Sequence, residues 1–290
     1  MYRICIFLAI FCLIGCSRDV NTLIKSSSKG ESFDTFGPFF LPAGNNFKGV
    51  SLYYSTKDKQ KTSVRFSMVG EIDWLRENRN LTYFHKMIFE NLEESAIYRF
   101  SIESPEFRRE EESIIKTMPY GENFEFEFGI ASIEQDLSWD KSPHFLILLS
   151  REKKVLENIF VPYYKRNKKI LGSTIILPMF DLSIWGENFS ISRNGIYSVR
   201  YKNLNLILIY NNFSDAAAFY SSLCNDSDIK NYVVVGNVSP NFLNVIIKDY
   251  SDKFENIFVA DFLGLPKDVK NIDKPYLVKV TGKASFAIRK

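Results

Sequence analysis

Histidine and cysteine are the scarcest reactive side chains in this chain of 290 residues. It contains two histidines and four cysteines: His85, His144, Cys5, Cys12, Cys16 and Cys224. A dinuclear hydrolytic site needs several imidazole and carboxylate ligands converging on two ions about 3.5 to 4 Å apart. Only His144 lies beyond residue 120. The supply of nitrogen ligands therefore argues against two-metal hydrolysis in the second half of the chain.

Other catalytic and binding signatures are also missing. The sequence has no Gly-x-Ser-x-Gly elbow, no glycine-rich phosphate loop followed by Lys, and no Cys-x-x-Cys pair. Its formal net charge of +3 is far from the concentrated basic surface that phosphate backbones require. The sequence predicts no cofactor and no nucleic-acid partner.

The N-terminus carries the most specific pattern that is present. Arg3 precedes an apolar run over residues 4–14, which ends in Leu13-Ile14-Gly15-Cys16. Because the run is shorter than the roughly 20 residues needed to cross a bilayer, it predicts a cleaved signal rather than an anchor helix. Leu-Ile-Gly-Cys resembles the lipobox of bacterial lipoproteins. The resemblance implies a signal peptide over residues 1–15 and an acylated Cys16 that binds membrane lipid.

The remaining cysteines and the following segment agree with an exported, tethered chain. Cys5 and Cys12 would leave with the signal peptide, so Cys224 has no disulfide partner. Residues 16–35 are mostly small and polar and predict a flexible tether. The expected location is the cell envelope, on a bacterial membrane, with the periplasmic and surface faces of an outer membrane both open.

Residues 36–120 predict a small β-sandwich of short strands separated by polar turns. Two of these strands are predicted at residues 49–55 and 62–67, separated by a charged turn at 57–60. The segment from His85 to Leu92, followed by Tyr98-Arg99-Phe100, resembles the fibronectin-III-like domain before the catalytic domain of purple acid phosphatases. With no second ligand nearby, His85 is predicted to be a packed or surface residue rather than a metal ligand.

Residues 121–290 predict an α/β domain with layered strands and helices. Phe124, Phe126 and Phe128 alternate with acidic residues, as in a strand with one wet face. Further strands are predicted at 143–149, 175–177, 232–235 and 257–260, with a hairpin over 197–210. Helices are predicted at 152–164, 216–223 and 242–250.

The order of these strand ends resembles a calcineurin-like metallophosphoesterase, whose metal ligands follow successive strands. The resemblance implies a cleft at the strand ends, but the metal-ligand motifs of the family are missing here. Arg151 stands where a bridging carboxylate is expected, and its charge would repel a dication. The candidate residues of this remnant cleft are Glu134, Asp136, Arg151, Asp181, Asn237 and Asp261. The sequence predicts no catalytic residue there, and a weak Ca²⁺ or Mg²⁺ site made of oxygen ligands stays open.

The leading hypothesis is a lipid-anchored pseudoenzyme whose two domains act as a binding or structural scaffold for an unknown protein or small-molecule ligand. One alternative is an active phosphoesterase with a metal site made only of carboxylates. Another is a surface adhesin.

Overall fold

The computed structural model describes residues 35–43, 47–107, 112–119, 124–152, 154–184, 187–189, 196–201, 204–213, 231–238, 256–261, 270–271, 275–281 and 286–289. These residues are mostly β-strand, arranged in three sheets. The strands and helices, in chain order, are β1 (Phe36–Pro42), β2 (Val50–Met68), β3 (Trp74–Phe89), β4 (Ile97–Glu103), β5 (Ser113–Lys116), β6 (Glu125–Ser132), β7 (Phe145–Leu149), β8 (Lys154–Leu156), α1 (Glu157–Arg166), α2 (Lys168–Leu171), β9 (Ile175–Pro178), β10 (Asp181–Ile184), β11 (Glu187–Phe189), β12 (Ile196–Tyr201), β13 (Leu204–Phe213), β14 (Asn231–Val238), β15 (Asn256–Asp261), β16 (Lys270–Asn271), β17 (Tyr276–Thr281) and β18 (Phe286–Arg289).

The largest sheet has ten strands and mixes parallel with antiparallel pairs. Its order is β18-β17-β6-β7-β9-β1-β2-β4-β5, and β3 also pairs with β2. At its centre β6, β7, β9 and β1 are parallel, with Phe128 opposite Phe145, and Ile175 opposite both Phe145 and Phe40. Phe128, Phe145, Ile175 and Phe40 therefore lie at the same level of the sheet, and the four strands run in the same direction. We call the edge at which they begin the amino edge, and the edge at which they end the carboxyl edge.

The hairpin of β2 and β3 is sharply bent. Its pairing is irregular between Ser55 and Thr62, and beyond this point the ribbon folds back on itself. Phe66 from one half packs edge-on against Phe89 from the other, with ring centroids 4.5 Å apart. The amide nitrogen of Asn78 likewise lies 3.2 Å from the ring of His85, seven residues further along the same strand.

This bend gives the ten-stranded sheet two layers with an aromatic core between them. Phe40 packs against Phe100 at 5.1 Å, and Phe47 stacks on Phe145 at 4.8 Å. Strands from both sides of the predicted domain boundary near residue 120 thus share one sheet through β1 and β9, and they share one buried core.

The other face of the parallel strands is covered by α1, α2 and the small sheet β11-β10-β8. Phe160 and Tyr164 of α1 are buried there against Phe36 and Phe39 of β1. The alternation of apolar side chains along β1 explains this arrangement, because successive residues of a strand point to opposite faces. Phe39 faces the helical layer and Phe40 faces the aromatic core.

The third sheet has five strands in the order β12-β13-β14-β15-β16. The hairpin predicted around residues 202–203 is confirmed, because Tyr201 of β12 pairs with Leu204 of β13. From β13 to β16 the neighbours are parallel. The helices predicted at 216–223 and 242–250 lie outside the described residues, as do Cys16 and nearly all of the predicted tether.

Two predicted elements differ from the structure. The strands expected at 49–55 and 62–67 form one strand, β2, whose charged segment at 57–60 is a bulge and not a hairpin turn. The helix expected from residue 152 begins at Glu157. Buried Val155 pairs instead with Leu182, which extends residues 154–156 as β8. The β-rich character of the predicted fold is confirmed.

Candidate functional site

The carboxyl edge brings together the first three predicted strand ends. After β6 the backbone amide of Ile133 donates to the carbonyl of Leu149 at 2.9 Å, and after β9 the amide of Met179 donates to the carbonyl of Leu148 at 2.8 Å. The loops that follow β6 and β7, which carry Glu134 and Arg151, therefore start side by side.

Ion pairs occupy this edge. Arg151 Nε lies 3.9 Å from Glu134 Oε2, and Arg166 Nε, at the end of α1, lies 3.2 Å from Asp136 Oδ1. All four side chains are more than half exposed, so each pair contributes little to stability. We call Glu134, Asp136, Arg151 and Arg166 the strand-exit rim.

The candidate residue at the third predicted strand end belongs to the three-stranded sheet. Asp181 follows β9 closely, but it is the first residue of β10 and pairs with Lys154 of β8. It is only partly buried. A lysine on the neighbouring strand makes this position less favourable for a cation.

The fourth and fifth predicted strand ends lie in the five-stranded sheet, while Glu134 and Arg151 follow strands of the ten-stranded sheet. Gly236 pairs with Asp261 across β14 and β15. Asn237 therefore follows directly beside Asp261 at the ends of two parallel strands. The six candidate residues thus divide into the rim, the β10 position and this pair.

The loop after β6 is fastened to α1 by a residue that the sequence did not single out. The Asn167 side-chain oxygen accepts from the Leu137 amide at 2.7 Å, and its side-chain nitrogen donates to the Tyr163 carbonyl at 3.0 Å. Burial raises the pKa of Tyr163, and the negative charge of Asp136 adds to the effect. No signal in the sequence linked Arg166 or Asn167 to the distant loop.

The side chain of Trp139 closes the same loop over Gly129 of β6. A Cβ atom on Gly129 would lie 2.4 Å from the Trp139 ring. Glycine has no Cβ atom, so it allows the ring to approach the strand this closely. This loop, which follows β6 and which we call the rim loop, is therefore held at two points, by a hydrogen bond at Leu137 and by aromatic packing at Trp139.

Within the described ranges, no group of three or more His, Cys, Asp or Glu side chains is close enough to hold a metal ion. Each rim carboxylate has a guanidinium beside it. These donors do not fit a catalytic dication.

His144 lies at the amino edge, a strand's length from the rim. Its backbone amide donates to the Glu127 carbonyl at 2.9 Å, and its ring Nδ1 accepts from the Glu127 amide at 3.3 Å. Burial lowers the pKa of His144 to about 4, and the positive charge of Lys116 contributes. The imidazole is neutral at physiological pH, and its hydrogen bond with the Glu127 amide helps to hold the start of β7 against β6.

His85 is completely buried at the bend of the β2–β3 hairpin. Its ring stacks on Tyr54 with centroids 4.7 Å apart, and its two nitrogens lie 3.1 Å from the hydroxyls of Thr56 and Thr62. Asn78 lies 3.2 Å from Nδ1. We call Tyr54, Thr56, Thr62, Asn78 and His85 the hairpin corner. The structure thus shows a packed histidine rather than a ligand.

Burial governs the titration of the hairpin corner. It lowers the pKa of His85 to about 4, which the negative charge of Glu106 only partly offsets. It also raises the pKa of Tyr54 to about 12, although a hydrogen bond with Thr62 acts in the opposite direction. Both groups are therefore neutral at physiological pH, as expected of a structural network.

Glu106 seals the outside of the hairpin corner. Its carboxylate accepts hydrogen bonds from Thr35 Oγ1 at 2.6 Å, from the Lys57 amide at 2.5 Å and from Gln60 Nε2 at 2.7 Å. Burial pushes the pKa of Glu106 upward, but these hydrogen bonds outweigh it and hold the pKa below its usual value. The contact fixes Thr35, the first described residue, beside the bend.

No family model matches the chain, and no curated protein matches it. Among the described residues, no helix is long and apolar enough to cross a membrane.

Proposed function

We propose that this chain is a lipid-anchored protein of the bacterial cell envelope, attached through Cys16. Its β-rich body serves as a binding or structural scaffold and does not hydrolyse phosphoesters. In this proposal residues 36–120 are fibronectin-III-like, and residues 121–290 are a degenerate metallophosphoesterase-like domain. The anchor rests on the apolar run that ends in Leu13-Ile14-Gly15-Cys16.

The placement of the two histidines carries the non-hydrolytic part of the proposal. His85 is buried in the hairpin corner, and His144 is partly buried at the amino edge. The chain has no other histidine, so none is left for a dinuclear site at the strand exits. Hydrolysis there would have to rely on carboxylates alone.

The charge of the rim supports the same conclusion. Arg151 and Arg166 accompany Glu134 and Asp136, so a dication would have to displace two guanidinium groups. An exposed rim of paired charges suits the polar surface of a protein partner or ligand better than it suits a buried ion.

The relation to phosphoesterases is supported by the parallel strands β6, β7 and β9, which end at one edge. The order of the strand ends along the chain is the other support. Crystallography of the region beyond residue 121 tests this ancestry. A β13–β16 sheet with no helical cover would contradict it.

Lipidation is tested by mass spectrometry of the protein extracted from bacterial membranes. The mature chain should begin at Cys16 and carry acyl chains, and Cys16→Ser should release the protein from the membrane fraction. A soluble wild-type protein cleaved at another position would contradict the anchor.

Hydrolysis is tested with bis-p-nitrophenyl phosphate and Mn²⁺, Fe²⁺ or Mg²⁺. The expected result is no turnover above the metal-only control. Metal-dependent turnover that Asp136→Ala abolishes, and Lys141→Ala leaves intact, would instead establish the carboxylate-only phosphoesterase.

Calorimetric titration of Ca²⁺ and Mg²⁺ into metal-stripped protein should give no heat of binding.

A further inference from the structure

The tip of the β2–β3 hairpin exposes large apolar side chains to solvent. Ile72 is 85% exposed, Trp74 65%, Leu75 58% and Val69 52%. We call these four residues the hairpin tip. Single exposed apolar side chains are common, but four within the seven residues of one turn are typical of a contact surface.

The backbone of the hairpin tip is ordered. The Glu71 amide donates to the Met68 carbonyl at 3.0 Å, closing a turn around Gly70, whose φ of +97° suits glycine. The Val69 amide also donates to the Ile97 carbonyl at 2.8 Å. Arg65 lies 3.7 Å from Asp73 and 2.9 Å from Glu103, so the carboxylate next to Trp74 has a cationic partner. The apolar side chains are therefore presented by a fixed support.

The shape of the hairpin tip favours a bilayer over a protein partner. A stable dimer buries about 800 Å² on each partner, whereas four side chains supply on the order of a few hundred. A convex turn also needs a matching pocket on a protein, but none in a fluid bilayer. The tip contains Trp74 and Leu75, and Trp and Leu are among the side chains typical of membrane-interface segments.

The predicted tether is long enough for this contact. Thr35 is held beside the hairpin corner, and the strand from Thr62 to Met68 extends about 20 Å from there to the tip. About 19 residues separate Cys16 from Thr35, and they can reach about 60 Å when extended. The anchor and the tip can therefore contact the same membrane.

We propose that the hairpin tip inserts into the interface of the membrane that holds the anchor, giving the body a second, reversible contact with lipid. This inference rests on the proposed lipid anchor. Because the anchor keeps the protein at a high effective concentration beside the bilayer, even a weak insertion would fix the orientation of the body.

The test uses the chain from residue 16 onward with Cys16→Ser, so that no acyl chain contributes. It is sedimented with neutral phosphatidylcholine vesicles and compared with the same protein carrying Ile72→Asp and Trp74→Asp. We expect the substituted tip to lower the partition coefficient by about tenfold or more. Ile159→Asp, on the exposed side of α1, is the matched control and should have no effect.

Trp74 supplies a second readout. Brominated lipid should quench the fluorescence of the vesicle-bound protein, and Trp74→Phe should remove most of that quenching. Partitioning that is unchanged by the tip substitutions, or lowered equally by Ile159→Asp, would overturn the proposal. Binding that disappears at high salt would also overturn it, because electrostatic adsorption and not insertion would then be responsible. Each of these outcomes would leave the lipidation result unaffected.

Discussion

The hairpin corner and the strand-exit rim place polar side chains in opposite surroundings. In the corner, His85 is fully buried and contacts two hydroxyls and an amide. At the rim, four charged side chains form two pairs in contact with water. A buried polar group must keep its partners, whereas an exposed one can exchange them for water. The corner should therefore determine stability, and the rim should be free to serve as a surface.

Replacing the corner histidine should have the largest effect. His85→Ala removes the ring stacked on Tyr54 and leaves the buried hydroxyls of Thr56 and Thr62 without that partner. We expect the free energy of unfolding to fall by about 3 kcal/mol, measured by urea denaturation. Arg151→Ala is the control from the rim. Equal losses of unfolding free energy in His85→Ala and Arg151→Ala would contradict the expectation that the corner determines stability and the rim does not.

Adding a methyl group at Gly129, beneath the rim loop, should have the second-largest effect on stability. Gly129→Ala forces a Cβ atom into the Trp139 ring and should cost about 2 kcal/mol, because packed strands resist added volume. The same change in a Trp139→Leu background should cost much less, since the smaller side chain leaves room. If Gly129→Ala lowers the free energy of unfolding equally in both backgrounds, the Trp139 ring is not what excludes a Cβ atom at this position.

Acid should weaken the corner. The pKa of His85 is about 4 in the folded protein and about 6.5 in an unfolded chain. The unfolded state therefore binds the proton first, and stability falls as the pH drops from 6.5 towards 4. We expect the wild type to lose about 1 kcal/mol more than His85→Gln between pH 6.5 and pH 5.5, where only the unfolded state gains the proton. His144 titrates in the same window in both proteins, so it cancels. Parallel curves would contradict a neutral, buried His85.

Breaking a rim pair should have the smallest effect. Arg166→Ala removes the partner of Asp136, but both groups are exposed, so the change in unfolding free energy should stay below about 0.5 kcal/mol. Salt should reduce even this difference. A loss as large as that of His85→Ala would mean that the rim is a structural element after all.

Much of the local structure followed from the sequence, because it depends on short-range patterns. The alternation through Phe126 and Phe128 located β6, and the apolar runs located β7 and β9. Their shared carboxyl edge follows from parallel pairing. The hairpin of β12 and β13 was evident from two apolar runs around a short polar turn.

Long-range packing accounts for what the sequence did not predict. Nothing in residues 57–60 indicates that the chain bends there without ending the strand, because contacts such as Phe66 with Phe89 decide the bend. Sheet membership is equally hidden, so Asn237 and Asp261 could not be separated from Glu134 in advance. The rim partner Arg166 comes from a helix whose docking is set by buried Phe160 and Tyr164.

The position of β1 has a consequence for the biogenesis of the protein. This first strand of the body lies between β2 and β9, so the central sheet stays open until Ile175 has been synthesised and can pair beside Phe40. Pairings between such distant segments form slowly. A nascent chain of this topology remains unfolded for longer, and under the proposed export it would reach a translocation channel before its central sheet closes.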